Sequence, residues 1–163
     1  MAKLPMPPPE VPRQDSLDGL APKFRTALEA IIRDVEAEGW QVRVFETIRT
    51  NERQEYLYGF GREYDDGRGP VTRSPTATKS WHIYGLAADL VQDDATPWVA
   101  PQAFWQAIGK AAEKNGCTWG GTWDILDLPH VQLKKCPTSP STIHQRLLKE
   151  DGVESVWGIV DAL

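Results

Sequence analysis

The apolar positions of the chain repeat with two different periods. From Leu20 onward, Leu20, Phe24, Ala27, Leu28, Ile31 and Val35 recur at helical spacing with charges between them. Pro22 suits the first turn of that helix and Gly39 suits its stop. Residues 41–46 alternate polar and apolar, which predicts a strand with one buried face. A short helix follows at 51–58. Residues 59–79 carry Gly59, Gly61, Gly67, Gly69, Pro70 and Pro75 among charges, the composition of a long loop that is functional or mobile. Residues 86–91 form an almost wholly apolar run, read as a buried strand. Phe104, Trp105, Ile108 and Ala112 mark one face of a second amphipathic helix over 101–115, ended by Gly116. Trp119-Gly120-Gly121 reads as a turn, 129–133 as a strand and 141–149 as a helix, with a short apolar appendage running to Leu163. At the other end, Pro5, Pro7, Pro8, Pro9 and Pro12 deny residues 1–15 a helix, so this arm is expected to be disordered or loosely draped. The expected organisation is therefore an arm (1–15), one domain (16–136) and a helical C-terminal extension packed on the same domain (137–163). Helices mixed with strands that are not sequential predict an α+β fold, a small antiparallel sheet flanked by helices.

Composition narrows the function classes. A chain of 163 residues suits a single core. The net charge is −5 and no Lys/Arg cluster dominates any segment, so a nucleic-acid partner is not expected. No apolar stretch approaches the ~20 residues that span a bilayer, so membrane insertion is not expected either. The proline-rich N-terminus lacks the apolar region of a secretory signal peptide. A target outside the cytoplasm would then require another factor to release the protein. Cys117 and Cys136 fit neither a zinc knuckle nor a disulfide framework. They read as reduced, partly buried thiols, with a single disulfide in an oxidising space as the alternative.

The candidate chemistry lies in two short clusters. There are three histidines, and two have unusual company: His82 in Ser80-Trp81-His82-Ile83-Tyr84-Gly85-Leu86-Ala87-Ala88-Asp89, and His130 in Asp127-Leu128-Pro129-His130. A catalytic zinc site uses three nitrogen or oxygen ligands and keeps the fourth position open. His82, Asp89 and His130 would supply that set. Gly85 lets the chain turn between His82 and the strand carrying Asp89. An aspartate in so apolar a strand is costly unless paired or metal-bound. Pro129 pushes Leu128 toward an extended backbone, a short turn from Asp127 to His130. Each cluster alone is equally explained by a satisfied histidine and ordinary Asp-Pro turn chemistry. Only their combination points to a metal. His144 has no acidic neighbour and reads as a surface residue.

The whole pattern resembles the M15 group of zinc peptidases. The matching residues are Ser80, His82, Gly85, Ala87 and Asp89, then Trp119-Gly120-Gly121-Thr122-Trp123, then Asp127 and His130. Thr47-Ile48-Arg49-Thr50, with Gln54, Leu57, Gly61 and Arg62, is similar to the arginine motif upstream in that group. The resemblance covers residues 16–133. It implies a Hedgehog/D,D-peptidase-like fold, Zn2+ as cofactor, and His82, Asp89 and His130 as its ligands. It also implies Asp127 as catalytic acid and base, Arg49 facing the substrate carbonyl, and Ser80 and Gln54 near the substrate. Two positions depart from the pattern: Thr47-Ile48 replaces the usual Gly-Tyr, and Thr122 stands where an acidic residue is common. Trp81, Trp119 and Trp123 read first as core and cleft-wall residues, and a groove-lining role, with Trp123 foremost, is the sharper alternative.

The group's substrate is the stem peptide of peptidoglycan. The compact chain and the Gly/Arg-rich loop after Gln54 look like the phage endolysins that cut the L-alanyl-D-glutamate bond, here expected to act as a monomer. A D-alanyl-D-alanine carboxypeptidase or dipeptidase is the close alternative. A zinc-containing protein that binds the wall without catalysis is the alternative of another class, against which Asp127 argues, since a structural zinc site needs no carboxylate beside its open position.

Overall fold

A computed structural model describes residues 2–163. Among the described residues, five α-helices and four strands follow in the order α1 (Pro22–Ala37), β1 (Val42–Glu46), α2 (Asn51–Gly59), β2 (Ala87–Gln92), α3 (Gln102–Lys114), β3 (Cys117–Trp119), β4 (His130–Leu133), α4 (Thr142–Asp151) and α5 (Val153–Ile159). Short 3₁₀ turns occupy Ala77–Lys79, Trp81–Tyr84 and Gly120–Thr122. The sheet order is β1-β2-β4-β3, and every neighbouring pair is antiparallel. This is the expected α+β architecture.

The amphipathic pattern explains the packing. Phe24, Leu28, Ile31 and Val35 lie on one face of α1 and are buried, each stabilising the fold by roughly 1.5–3 kcal/mol. They share a core with Phe104, Trp105, Ile108, Ala111 and Ala112 of α3 and with Leu86, Ala87, Ala88 and Leu90 of the central strand region. Trp40 meets Phe104 edge to face, with ring centroids 5.8 Å apart. Thr50 caps α2 by accepting from the Arg53 amide.

The structure departs from the sequence expectation in four places. Residues 117–119 form an edge strand; three residues are too few for alternation to show. The apolar appendage beyond α4 is itself helical, and within the packed extension expected for 137–163 it buries Val156, Val160 and Ala162 in the main core. The N-terminal arm has no helix or strand but is pinned. Arg53 donates to the Val11 carbonyl (2.8 Å), Arg13 to the Phe45 carbonyl (2.9 Å), and the Thr47 amide and hydroxyl to the Gln14 and Ser16 carbonyls (2.8 and 2.6 Å). Lastly, His144 is half-buried. It meets Trp81 edge to face at 4.9 Å, and its Nδ1 accepts from the Ser141 amide at 3.0 Å, closing the N-terminus of α4.

The long loop is anchored as well. Phe60 and Tyr64 bridge, and with Tyr56, Leu57 and Val11 they form a second small apolar cluster. The Arg68 guanidinium lies 4.3 Å over the Phe60 ring. Both cysteines are buried as free thiols, and burial pushes each up to about 12.

Candidate metal centre

Three segments converge on one point at the middle of the sheet. His82 sits in the 3₁₀ turn Trp81–Tyr84, which Gly85 ends in the left-handed region at φ +67°. A side chain at Gly85 would be strained there, and its Cβ would come within 2.9 Å of the Gly19 carbonyl. The chain then enters β2, where Asp89 lies directly opposite His130 of β4. The His82 Nε2 is 3.5 Å from Asp89 Oδ2, and the His130 Nδ1 is 3.6 Å from Asp89 Oδ1. One ligand atom from each of the three residues lies within 4.8 Å of the others.

The far side of each imidazole is held. His82 Nδ1 faces the Thr47 carbonyl at 2.8 Å, and His130 Nε2 faces the Gln132 Oε1 at 2.8 Å. A carbonyl only accepts, so Nδ1 of His82 carries the proton and its Nε2 offers a lone pair inward. These residues fit a tetrahedral ion. Bonds of about 2.0–2.1 Å would separate ligand atoms by roughly 3.3 Å, close to the two spacings observed. Three ligands leave one position open, the arrangement of a catalytic rather than a structural site.

Burial alone would raise the Asp89 carboxyl, but His82 and His130 outweigh it and hold the group well below the usual carboxylate range. Asp127 behaves oppositely. Burial and then the Asp89 charge raise it, against the opposing pull of His130, His82 and Arg49. Its side chain is half exposed (50%), with Oδ2 3.8 Å from His130 Nδ1. It thus sits on the open side of the cluster, where a proton acceptor and donor would be useful. Its place is set by Gly120. The Asp127 amide donates to the Gly120 carbonyl at 3.0 Å, and a Cβ on Gly120 would come within 2.3 Å of the Asp127 carbonyl oxygen. Trp119 Nε1 donates to the Leu128 carbonyl at 2.6 Å and closes the same bend.

Arg49 reaches the cluster from behind Asp89, with Nη2 3.7 Å from Asp89 Oδ2. Glu46, buried and opposite Asp89 in the sheet, fixes it: its Oε1 accepts from Arg49 Nη2 at 2.6 Å and its Oε2 from Arg53 Nε at 2.8 Å. Gln54 requires a correction. It is fully buried, accepting from Arg49 at 2.9 Å and donating to the Ser74 carbonyl at 2.8 Å. Its amide ties Arg49 to the loop, and a contact with substrate is closed to it in this structure. Ser80 heads the His82 turn, and its side chain makes no capping hydrogen bond there. Trp123 lies against His130, ring centroids 5.2 Å apart.

Thr47, Glu46 and Gln132 are supporting residues that the sequence reading did not single out. Thr47 acts through its carbonyl, which carries no residue-type signal. Glu46 and Gln132 occupy polar positions in strands, and their burial shows only in three dimensions.

Residues 73–133, which carry all three candidate ligands and Asp127, match the M15 peptidase family model described as D-alanyl-D-alanine carboxypeptidase. The fold is also similar to solved structures. One is the L-Ala D-Glu endopeptidase ChiX of Serratia marcescens, at 25% identity over 72% of this chain and 82% of that one, with a TM-score of 0.50. The vancomycin-resistance D,D-dipeptidase VanXYg is similar at 19% identity over 96% of this chain and 70% of that one (TM-score 0.52). The D,D-pentapeptidase VanY, solved with Zn(II), is similar at 15% identity over 93% of this chain and 92% of that one (TM-score 0.51). The family match thus lies on the segment that builds the site, and the fold is shared with these peptidases.

Proposed function

We propose that this protein is a zinc-dependent peptidoglycan hydrolase that cuts the stem peptide at the L-alanyl-D-glutamate bond. The observation that carries the reading is the buried His82–Asp89–His130 cluster with the half-exposed, raised carboxyl of Asp127 on its open side. The likeness to the L-Ala D-Glu endopeptidase supports the choice of bond. The description of the matching family model supports a second reading, a D-alanyl-D-alanine carboxypeptidase or dipeptidase on the same site.

His82, Asp89 and His130 would hold the zinc, which when bound supplies Lewis acidity to lower the pKa of water and polarise the carbonyl. The chain's own residues do the rest. Asp127 takes the proton of the attacking water and returns it to the leaving amine, and its raised affinity for protons favours the first of these transfers. Arg49, oriented by Glu46, adds positive charge where the carbonyl oxygen turns negative. The Thr47 carbonyl keeps the His82 imidazole in the tautomer that leaves Nε2 free for the ion. Trp123 and Ser80 border the site and are proposed to meet the stem peptide. An endolysin role, with access to the wall once the membrane is opened, follows from the sequence resemblance. Clearing of permeabilised cells by the wild type but not by Asp127→Ala tests it.

The bond is tested by incubating the zinc-loaded protein with defined muropeptides and reading products by mass spectrometry. A cut between L-alanine and D-glutamate, absent in Asp127→Ala with zinc retained, is the expected result. Release of D-alanine or D-alanyl-D-alanine would replace it with the second reading. Zinc binding without any cleavage would refute both in favour of a wall-binding role.

A further inference from the structure

Gln132 follows His130 by two residues on β4, so both side chains lie on one face of the strand. It is buried, with 1% of its surface exposed, and its amide is fully engaged. Oε1 lies 2.8 Å from His130 Nε2. The amide nitrogen donates to the carbonyls of Cys136 at 3.3 Å and Pro137 at 2.9 Å. Two carbonyls can only accept, so the amide cannot be flipped: nitrogen must face them and oxygen must face the imidazole. An oxygen acceptor at Nε2 puts the ring proton there. That leaves the lone pair on Nδ1, the nitrogen turned toward Asp89 and Asp127. The Pro137 carbonyl also accepts from Trp81 Nε1 at 2.7 Å, next to His82 in sequence. One turn after β4 thus supports the neighbours of both histidines.

We propose that Gln132 is a positioning residue, fixing the tautomer and angle of His130 through the carbonyls of residues 136 and 137, so that the ring presents Nδ1 to the metal. The inference rests on the metallopeptidase reading above. An apolar side chain of equal volume would fill the same space in the core. It would leave the His130 N–H buried without a partner and the ring free to choose the other tautomer.

The test compares the full chain with Q132M, which removes the acceptor, and Q132E, which keeps it. Zinc affinity is read by competition with a chromophoric chelator, and melting temperature is read on the metal-free proteins. Both variants lower the melting temperature, since the 136 and 137 carbonyls lose their donor. Q132M loses zinc affinity by roughly 10–100-fold, while Q132E retains it because a carboxylate still accepts from Nε2–H. Equal zinc affinities in Q132M and the wild type, or equal losses in Q132M and Q132E, would show a merely structural glutamine and overturn the proposal. Should Q132M fail to fold, nitrogen NMR of the zinc-loaded wild type decides: a protonated Nε2 on His130 is expected, and a protonated Nδ1 overturns the assignment. A wild type that binds no zinc overturns the metal reading itself, a result distinct from any pattern among the variants.

Discussion

Gly120→Ala probes how tightly Asp127, the proposed acid–base group, is held without touching its carboxylate. The added Cβ would lie 2.3 Å from the Asp127 carbonyl oxygen and 2.9 Å from the Asp127 Cβ. Opening the shorter contact to the 3.4 Å at which ordinary packing begins moves that carbonyl by about 1.1 Å. The shift cannot be absorbed by a flexible side chain, because the obstructing atoms are backbone and Cβ. Displacing a reacting group by about 1 Å costs on the order of 10²-fold in rate, or about 2.7 kcal/mol in the barrier. His130 is anchored separately by its pairing with Asp89, so the metal site should be spared. Steady-state cleavage of a defined muropeptide is expected to show kcat down about a hundredfold with zinc affinity unchanged. A kcat near the wild-type value would refute the reasoning. So would a parallel collapse of zinc affinity, since the strain would then run through the Asp127–His130 hydrogen bond into β4.

Three further outcomes are expected. Glu46→Ala leaves the buried guanidinium groups of Arg49 and Arg53 without their shared carboxylate and should cost about 3–5 kcal/mol in chemical denaturation of the metal-free protein; a loss below about 1 kcal/mol would contradict the network. Asp89→Asn removes the charge between the two imidazoles, so the purified variant should retain a folded spectrum but lose its metal on elemental analysis. Burial lowers the His144 imidazole below its ordinary value, and its neutral Nδ1 caps α4. The stability from this cap is therefore fully present above the ordinary histidine range and is lost as pH falls through the lowered pKa. Between those limits the melting temperature of the wild type should fall more steeply than that of His144→Gln, and parallel curves would count against the cap.

Much of this was legible in the sequence because one physical rule dominated each feature. Phe24, Leu28, Ile31 and Val35 announced α1 by spacing alone, and Gly85 announced a turn that only glycine makes comfortably. Asp89 stood out as a carboxylate in an apolar strand, where burial without a partner is expensive, and His82 and His130 by the residues beside them. What escaped were contacts made by backbone atoms or decided by distant partners. The Thr47 carbonyl behind His82 has no signature in residue type. Gln54 belongs to a recognisable motif, yet its burial depends on Ser74, twenty residues on. Val156 and Ala162 read only as part of an apolar appendage, because the surface that covers them comes from the other end of the chain.

The pairing of Asp89 with His130 has a thermodynamic consequence. The three candidate ligands are spread over residues 82, 89 and 130, and two of them become neighbours only when β2 and β4 align. The unfolded chain therefore offers no ready chelate, and an ion held here binds the native state almost exclusively. Mass action would then turn zinc, the proposed ion, into a folding cofactor: free metal at a hundred times its dissociation constant would add about 2.7 kcal/mol to the stability of the entire domain. A reservoir of free zinc would set the protein's lifetime in a protease-rich space as surely as its hydrophobic core does.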